Sequence, residues 1–269
     1  MLKTEMRNPK TTHIDKMSTA EMMKVMSDEN INAAKAVEQA TPAIEKAVDL
    51  ATERFAAGGR IFYFGCGTSG RLGVLDASEA PPTYGVPADR VVGIIAGGDK
   101  CLRSASENAE DLGEQAVADL KAHGVTGADF VMGISVAGNA DYVVSGLEYA
   151  RSLGCATAAL TSNEGTRVTK VADVAIVTDT GAEVIAGSTR MKAGTAHKMV
   201  LNMLSTAVMI KCGYVYENMM INLRASNIKL RARVISIVCD ITGLSADKAE
   251  ELLDQNDWNI KASIKAFGK

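Results

Sequence analysis

The sequence predicts an α/β fold in which a five-stranded parallel sheet lies between two layers of helices. Two observations carry this prediction: the apolar segments are short and continuous, and helical sequence separates each of them from the next. Continuous apolar strands that alternate with helices are typical of parallel sheets buried on both faces. The five predicted strands are residues 61–64, 91–95, 129–134, 156–160 and 174–177.

The composition is that of one sizeable globular domain with a small appendage. The chain has 269 residues, of which 47% are hydrophobic and 23% are charged, as in ordinary soluble enzymes. A net charge of −3 without a dense basic run argues against nucleic acid as a partner. The 5 cysteines are scattered and lack metal-ligand spacing, so we expect unpaired thiols in a reducing compartment and no metal site.

Neither a membrane span nor a secretory leader is expected. The longest apolar stretch, residues 199–210, is too short to cross a bilayer. The N-terminal residues are polar and lack the apolar core of a signal peptide. We therefore expect a cytoplasmic protein.

The chain opens with an aperiodic segment, residues 1–18, which we expect to be an extended arm. Ser18 or Thr19 is placed to cap a helix that begins directly afterwards. A second helix is expected over about residues 31–56, because its apolar residues recur at helical spacing, and a Gly-Gly pair ends it.

The first predicted strand runs directly into a loop of small residues, GCGTSG, and then into a helix. Glycines let the backbone approach an anion, hydroxyl groups donate hydrogen bonds, and a helix N-terminus adds N–H groups and a positive dipole end. A plain tight turn would explain the glycines but not the hydroxyls of Thr68 and Ser69 beside them. We therefore predict an anion site at Gly67, Thr68 and Ser69.

Two carboxylates follow the first two predicted strands. Glu79 lies just before Pro81-Pro82, where we expect the helix after the loop to end, and Glu110 lies beyond the second strand. Such a pair can remove a carbon-bound proton and protonate a leaving oxygen when their environments separate their pKa values. Taken alone, each acid is better explained as a solvated surface carboxylate, because such carboxylates are common, and the spacing does not show that the two meet.

Further polar segments follow later strands. Residues 135–140 come after the third strand and residues 161–165 after the fourth, and ligands bind at the carboxyl ends of parallel strands. Residues 187–198 combine several donors with a helix start, for which simple capping is the alternative explanation. Lys229 and Arg233 lie four residues apart on a predicted helix, so they share one face. That face is either a solvated surface or a phosphate-binding site.

The remainder of the chain is predicted to be helical. Long helices are expected at 192–212 and at about 215–238. Residues 244–268 are expected to form two or three short helices, which are too small to bury a large core.

Together these motifs resemble those of the N-acetylmuramic acid 6-phosphate etherases, a family built on the sugar isomerase (SIS) fold. The resemblance extends over nearly the whole chain, and its C-terminal residues resemble a UBA-like three-helix module. It rests on the arm RNPKTTHIDKMSTAEM, the block GTSGRLGVLDASEAPPTYGVP, the loop AGG, the segment AEDL and the stretch GSTRMKAGTAHKMVLNMLSTAVMIKCG. The implied architecture is a three-layer αβα sandwich with an N-terminal arm and helices at 1–55, an SIS sugar-phosphate-binding domain at 56–238 and the UBA-like module at 239–269.

The resemblance also implies an activity, that of a carbon–oxygen lyase in cell-wall amino-sugar recycling that uses no cofactor. Such an enzyme cleaves the C3 D-lactyl ether of N-acetylmuramic acid 6-phosphate to give N-acetylglucosamine 6-phosphate and D-lactate. The implied route is loss of the C2 proton and of lactate, followed by addition of water. Glu79 matches the family's proton donor, and Glu110 matches its second catalytic acid. The expected substrate-binding residues are Gly67, Thr68, Ser69, Ser135, Ser162, Asn163, Ser188, Lys192, Lys229 and Arg233.

The chain is also similar to the glucokinase regulatory protein, which binds fructose phosphates without catalysis. In that relative a Lys and an Arg, four apart on a helix of one half, reach the sugar-phosphate site of the other half. They match Lys229 and Arg233, which implies a homodimer with composite sites.

One loop departs from the etherase pattern. Residues 137–141 are Ala-Gly-Asn-Ala-Asp where etherases usually carry Ser-Gly-Arg-Thr-Pro, while Ser135 supplies a hydroxyl as in the regulatory protein. The departure keeps a second hypothesis open, a non-catalytic sugar-phosphate sensor. The fold alone also allows an aldose–ketose sugar-phosphate isomerase.

Overall fold

A computed structural model describes residues 2–104, 108–223 and 228–268. The chain divides into two compact units, and each is described by itself. The first comprises Met1–Ala77 and Asp89–Val208, and the second comprises Ser78–Ala88 and Met209–Lys269.

The first unit contains the predicted parallel sheet. Its strands are paired in the order β2-β1-β3-β4-β5, and every pairing is parallel. The order reverses beside β1, so the carboxyl ends of β1 and β3 form the place where ligands bind in sheets of this kind. The strands are β1 (Ile61–Gly65), β2 (Val91–Ile95), β3 (Phe130–Ile134), β4 (Ala156–Thr161) and β5 (Val174–Val177).

Helices cover both faces of this sheet, which confirms the predicted fold class. Glycines let them approach closely: a Cβ at Gly146 would lie 2.3 Å from the ring of Phe64, and a Cβ at Gly73 would lie 2.9 Å from the Cβ of Tyr63. Adjacent residues of β1 point to opposite faces, so these helices lie in different layers. The helices are α1 (Thr19–Ala56), α2 (Gly67–Tyr84), α3 (Lys100–Arg103), α4 (Gly113–Ala122), α5 (Asp141–Ser152), α6 (Arg167–Val171) and α7 (Lys192–Lys211).

The prediction of two N-terminal helices is wrong, because α1 is one continuous helix. It begins with a capping box in which the Ser18 hydroxyl accepts the N–H of Glu21 and the Glu21 carboxylate accepts the N–H of Ser18. The polar residues 27–30 contain neither glycine nor proline, so nothing in the backbone stops the helix there. The side chain of Glu29 is buried in an ion pair that holds this stretch against the fold.

The predicted end of α2 before the two prolines is also wrong. The helix continues through Pro81 and Pro82 to Tyr84. Each proline removes one backbone donor and disturbs the turn before it. The disturbed turn is the one that precedes Pro81, and only two helical residues follow Pro82 before the N–H of Gly85 closes on the carbonyl of Pro81 at 2.9 Å.

The second unit consists of the last turns of α2, a short hairpin and a helical module. A hairpin of β6 (Val215–Tyr216) and β7 (Met219–Met220) replaces the start of the helix predicted at about 215–238. The prediction missed the tight turn at Glu217, whose φ of 51° lies in the left-handed region. The helices are α8 (Ile228–Thr242), α9 (Ala246–Asp254) and α10 (Ile260–Phe267).

The three C-terminal helices bury a small apolar core of their own. Val234, Val238 and Leu253 are fully buried in it, and the guanidinium of Arg231 stacks 4.4 Å from the centre of the Trp258 ring. The expectation of two or three short helices within residues 244–268 is confirmed, because α9 and α10 lie there. The proposed domain boundaries at residues 55 and 238 stay a prediction.

No helix in the described part of the chain has the length and apolarity that a membrane crossing needs.

Candidate active site

A cavity of about 570 Å³ opens at the carboxyl ends of β1, β2 and β3 in the first unit. It lies where the strand order of the sheet reverses, as the fold predicts. The glycine loop after β1 forms one wall and the loop after β3 forms another. Of the predicted substrate-binding residues, those that line the cavity are Gly67, Thr68, Ser69 and Ser135.

The glycine loop is the start of α2, which begins at Gly67 and not at Arg71. Gly70 must be glycine, because a Cβ there would lie 2.5 Å from the carbonyl oxygen of Gly65 and 2.7 Å from the side chain of Ile95. The N–H groups of Ser69 and Gly70 turn to the carbonyl of Cys66, at 3.1 and 3.4 Å. The capacity to bind an anion therefore rests on the N–H groups that precede them and on the hydroxyls.

The loop after β3 presents small side chains to the cavity. The Ser135 hydroxyl accepts the N–H of Gly138 at 3.1 Å, and Ala137 and Ala140 also line the wall. Asp141 pairs with Arg167, whose backbone N–H donates to the Asn139 side chain at 3.2 Å. The acid that enters this loop is therefore neutralised by a neighbouring cation, and the loop itself offers the cavity one hydroxyl and no positive charge.

Glu110 brings a carboxylate to the same cavity. It lies in a 3-10 turn, Ala109–Asp111, which follows Asn108 in the left-handed conformation with a φ of 62°. Glu110 is exposed, and its charge is felt by the Cys66 thiol, which also lines the cavity. Residues with hydroxyl groups and a residue with a carboxylate thus line one cavity, the combination that phosphate binding with acid–base chemistry requires.

The other predicted acid and the two predicted cations belong to the second unit. Glu79 is exposed on α2, and Lys229 and Arg233 are exposed on α8. Lys229 and Arg233 lie on one face of their helix, at the spacing of one turn. Their roles stay predictions.

Four further predicted binding residues have other contacts in the first unit. Ser162 is fully buried, with its hydroxyl 3.2 Å from both Thr178 Oγ1 and His197 Nε2. Asn163 binds the N-terminal arm, and the ammonium of Lys192 pairs with the carboxylate of Glu29. Ser188 is half-buried and lies one residue before the cavity-lining Thr189. Their assignment to the substrate stays a prediction.

Backbone N–H groups at the start of α7 are already hydrogen-bonded within the protein. The fully buried carboxylate of Glu183 accepts the N–H of Lys192 at 3.1 Å and that of Ala193 at 3.0 Å, so it caps the helix. Further along α7, burial lowers the pKa of His197, which lies beside Ser162, to about 4, so its imidazole is neutral near pH 7. This segment is held by side chains from distant parts of the sequence.

Thr189 and Arg71 line the cavity but were not among the predicted site residues. The guanidinium of Arg71 donates to the carbonyls of Leu102 at 3.0 Å and of Cys101 at 2.7 Å. The sequence signal for Arg71 is its position directly after the glycine loop, one turn into α2. The donor-rich run at 187–198 was the signal for Thr189.

The thiol of Cys66 is expected to be unreactive. Burial, followed by the charges of Glu110 and Asp111, raises the pKa of this thiol to about 12. Because the thiolate is the reactive species, alkylation of Cys66 by iodoacetamide at pH 8 should be at least about tenfold slower than that of glutathione. Mass spectrometry of the peptide that carries Cys66 measures the rate, and a rate equal to that of glutathione would contradict this electrostatic description.

Two family profiles match parts of the chain. Residues 43–151 match the glucokinase regulatory protein N-terminal SIS domain. Residues 235–267 match a UBA-like domain.

Three proteins that match nearly the whole chain are each named N-acetylmuramic acid 6-phosphate etherase. The protein of Clostridium beijerinckii is 51% identical over 263 residues, which is 98% of this chain and 86% of the relative. That of Cronobacter sakazakii is 47% identical over 263 residues, with 98% and 89% covered. That of Symbiobacterium thermophilum is 51% identical over 266 residues, with 99% and 88% covered.

Solved structures share the fold at low sequence identity. A phosphoheptose isomerase from Francisella tularensis superposes with a TM-score of 0.54 at 18% identity, covering 71% of this chain and 98% of the other. A putative phosphosugar isomerase from Bacteroides fragilis superposes with a TM-score of 0.55 at 22% identity, covering 73% and 94%.

Proposed function

The chain belongs to the N-acetylmuramic acid 6-phosphate etherase family, and from that premise we propose that it cleaves the D-lactyl ether of N-acetylmuramic acid 6-phosphate. The products are N-acetylglucosamine 6-phosphate and D-lactate. The observation that carries the proposal is that Thr68, Ser69 and Glu110 line one cavity. We place the reaction in the cytoplasm, as part of amino-sugar recycling.

The reaction is an elimination followed by a hydration. In the open-chain sugar, C2 is adjacent to the C1 aldehyde, so a carboxylate can remove its proton. The bond between C3 and the lactyl oxygen breaks, and a carboxylic acid protonates that oxygen as D-lactate leaves. Water then adds at C3 and a proton returns to C2. We assign these proton transfers to Glu79 and Glu110 as a pair.

The glycine loop is proposed to hold the 6-phosphate of the sugar. The Thr68 and Ser69 hydroxyls and the first N–H groups of α2 are donors that suit a phosphate dianion. Anchoring at this end of the sugar leaves C2 and C3 free to meet the acids.

Incubation of the purified protein with N-acetylmuramic acid 6-phosphate tests the proposal, with D-lactate measured by a coupled dehydrogenase assay. Release of stoichiometric D-lactate and N-acetylglucosamine 6-phosphate is the expected result. Binding of the sugar phosphate without lactate at any protein concentration would overturn the etherase proposal and favour a sensor. Interconversion of an aldose and a ketose phosphate without lactate would favour an isomerase.

We further propose that the enzyme is a homodimer in which Lys229 and Arg233 of one subunit bind the sugar phosphate held by the other subunit. Both side chains are exposed on one face of α8, as cations that reach a partner's ligand must be. The resemblance to the two-domain regulatory protein supports this arrangement.

Mixing two inactive variants is expected to restore activity if the sites are composite. One variant is Glu110→Gln, and the other is the double substitution Lys229→Ala, Arg233→Ala. After the subunits are exchanged at random, half of the dimers are mixed, and each mixed dimer holds one intact site, so about a quarter of the sites should release lactate. The D-lactate assay measures this recovery, and a mixture no more active than the sum of its parts would contradict composite sites.

A further inference from the structure

The N-terminal arm, residues 3–16, is more tightly integrated than its polar sequence suggests. It forms three single 3-10 turns, Lys3–Glu5, Pro9–Thr11 and Ile14–Lys16. Thr4 is 0% exposed, and Asn8 and Thr11 are also buried. Polar side chains are buried only when their hydrogen bonds are satisfied, so the partners of these residues identify what the arm holds.

Thr4 binds the side chain of Asn163, in the loop after β4. The Asn163 amide donates to Thr4 Oγ1 at 3.0 Å, and its carbonyl accepts the Thr4 N–H at 3.5 Å. The second amide hydrogen of Asn163 is directed to the carbonyl of Val136 at 3.0 Å. Both donors of this amide are therefore used inside the protein, and Asn163 acts on the cavity through Val136.

The backbone carbonyl of Val136 links the contacts of the arm to the cavity wall. Its carbonyl accepts from three donors of the β4 end, namely Asn163 Nδ2, Thr161 Oγ1 at 3.0 Å and the N–H of Ser162 at 3.1 Å. Val136 and its neighbours Ser135 and Ala137 line the same cavity as the glycine loop. The position of this wall is thus fixed from behind.

A second set of contacts joins the arm to the segment that leads into α7. Asn8 donates to the Glu29 carboxylate at 2.9 Å and Lys10 pairs with it at 2.9 Å, while the same carboxylate binds Lys192 at the start of α7. Thr11 Oγ1 donates to the carbonyl of Val184 at 2.7 Å, next to the residue that caps α7. The loop that leads into α7 carries the cavity-lining Thr189.

We propose that the arm is a positioning element of the sugar-phosphate site, in which Thr4 orients Asn163 so that the Ser135–Ala137 wall keeps the position that the ligand needs. The inference rests on the proposed function, because that function supplies the ligand. Thr4 and Asn163 touch no reacting atom in this account.

The test compares three single variants of the full chain. Thr4→Val removes the hydroxyl but keeps the shape, and Thr4→Ser keeps the hydroxyl. Thr12→Val is the matched control, because the exposed Thr12 hydroxyl bonds only to arm carbonyls among its described contacts. Two readouts are taken: calorimetric affinity for N-acetylglucosamine 6-phosphate, and hydrogen–deuterium exchange of peptides that cover residues 134–139.

Thr4→Val is expected to weaken binding roughly three- to tenfold and to speed exchange in residues 134–139, with a melting temperature within about 4 °C of the wild type. Thr4→Ser and Thr12→Val should match the wild type. Equal exchange in Thr4→Val and wild type, or equal loss in Thr4→Val and Thr4→Ser, would overturn the proposal. If the wild-type protein binds no sugar phosphate, the proposed function fails, and the exchange comparison still decides whether the arm positions the wall.

Discussion

Replacing Glu110 by Gln is expected to lower the turnover number for D-lactate release by roughly 10²- to 10⁴-fold. The amide has nearly the shape of the carboxylate but neither accepts nor donates a proton at neutral pH. Glu110 is exposed in a cavity whose other walls supply donors, so the substitution leaves no buried group unpaired. The loss should therefore fall on the turnover number, while affinity for N-acetylglucosamine 6-phosphate changes by less than about threefold.

Glu79→Gln is expected to abolish lactate release as well, because the proposed elimination needs two proton-transfer groups. Glu114→Gln is the matched control, an exposed acid in the first turn of α4 outside the cavity lining, and it should retain wild-type turnover. Steady-state assays with N-acetylmuramic acid 6-phosphate measure all three variants. A nearly wild-type rate in either active-site variant would remove that glutamate from the mechanism.

The strands were predictable because they are local features. Each is a short apolar run, and in a sheet buried on both faces the whole run must be apolar. Side chains of β1 alternate between the two buried faces: Phe62 and Phe64 pack in the core cluster on one face, while Tyr63 meets α2 on the other. No strand ends more than one residue from its predicted position.

The helix ends were harder, because tertiary contacts decide them. Nothing local joins the two segments of α1, but a buried ion pair at Glu29 favours continuity. Pro81 and Pro82 predict a stop, yet the helix passes through both and ends two residues later, so only two backbone donors near its end are lost. The hairpin at Val215 depends on two left-handed or turn residues inside an otherwise helical pattern.

The candidate site divides in the same way. Thr68 and Ser69 lie next to glycines at a helix start, so their role as donors can be inferred from neighbours in sequence. Lys192 also lies at a helix start, where a cation suggests a phosphate-binding residue. Its ammonium is instead bound by a carboxylate 163 residues away, and no local pattern contains that information.

The ion pair of Lys192 with Glu29 gives the largest expected effect on stability. Both side chains are almost fully buried, at 2% and 3% exposure. Removing one partner of a buried pair leaves a charge without compensation, which typically costs about 3–5 kcal/mol. We expect Lys192→Met to lower the free energy of unfolding by about 3 kcal/mol, the low end, because Lys10 and Asn8 still bind Glu29.

Urea unfolding at pH 7 measures this loss, with Lys24→Met as the control. Lys24 forms an exposed ion pair with Asp28 on the same helix, and its removal should change the free energy of unfolding by less than about 0.5 kcal/mol. The combined variant Glu29→Leu, Lys192→Met should recover much of the stability, because no buried charge remains. A loss in Lys192→Met no larger than that in Lys24→Met would contradict the role of the buried pair.

The acid dependence of stability gives an independent check on the same pair. Burial alone would raise the pKa of Glu29, but hydrogen bonds from Lys192, Lys10 and Asn8 lower it from 4.5 to about 2. A carboxyl whose pKa falls on folding stabilises the native state above its unfolded pKa, and this contribution is lost as the pH drops from about 4.5 towards 2. Lys192→Met removes the first of those hydrogen bonds, so the pKa of Glu29 should rise towards 4.5, and the acid-dependent loss of stability should become smaller and end at higher pH. The combined variant lacks the carboxyl, so between pH 5 and pH 2 its unfolding free energy should fall less steeply than that of the wild type.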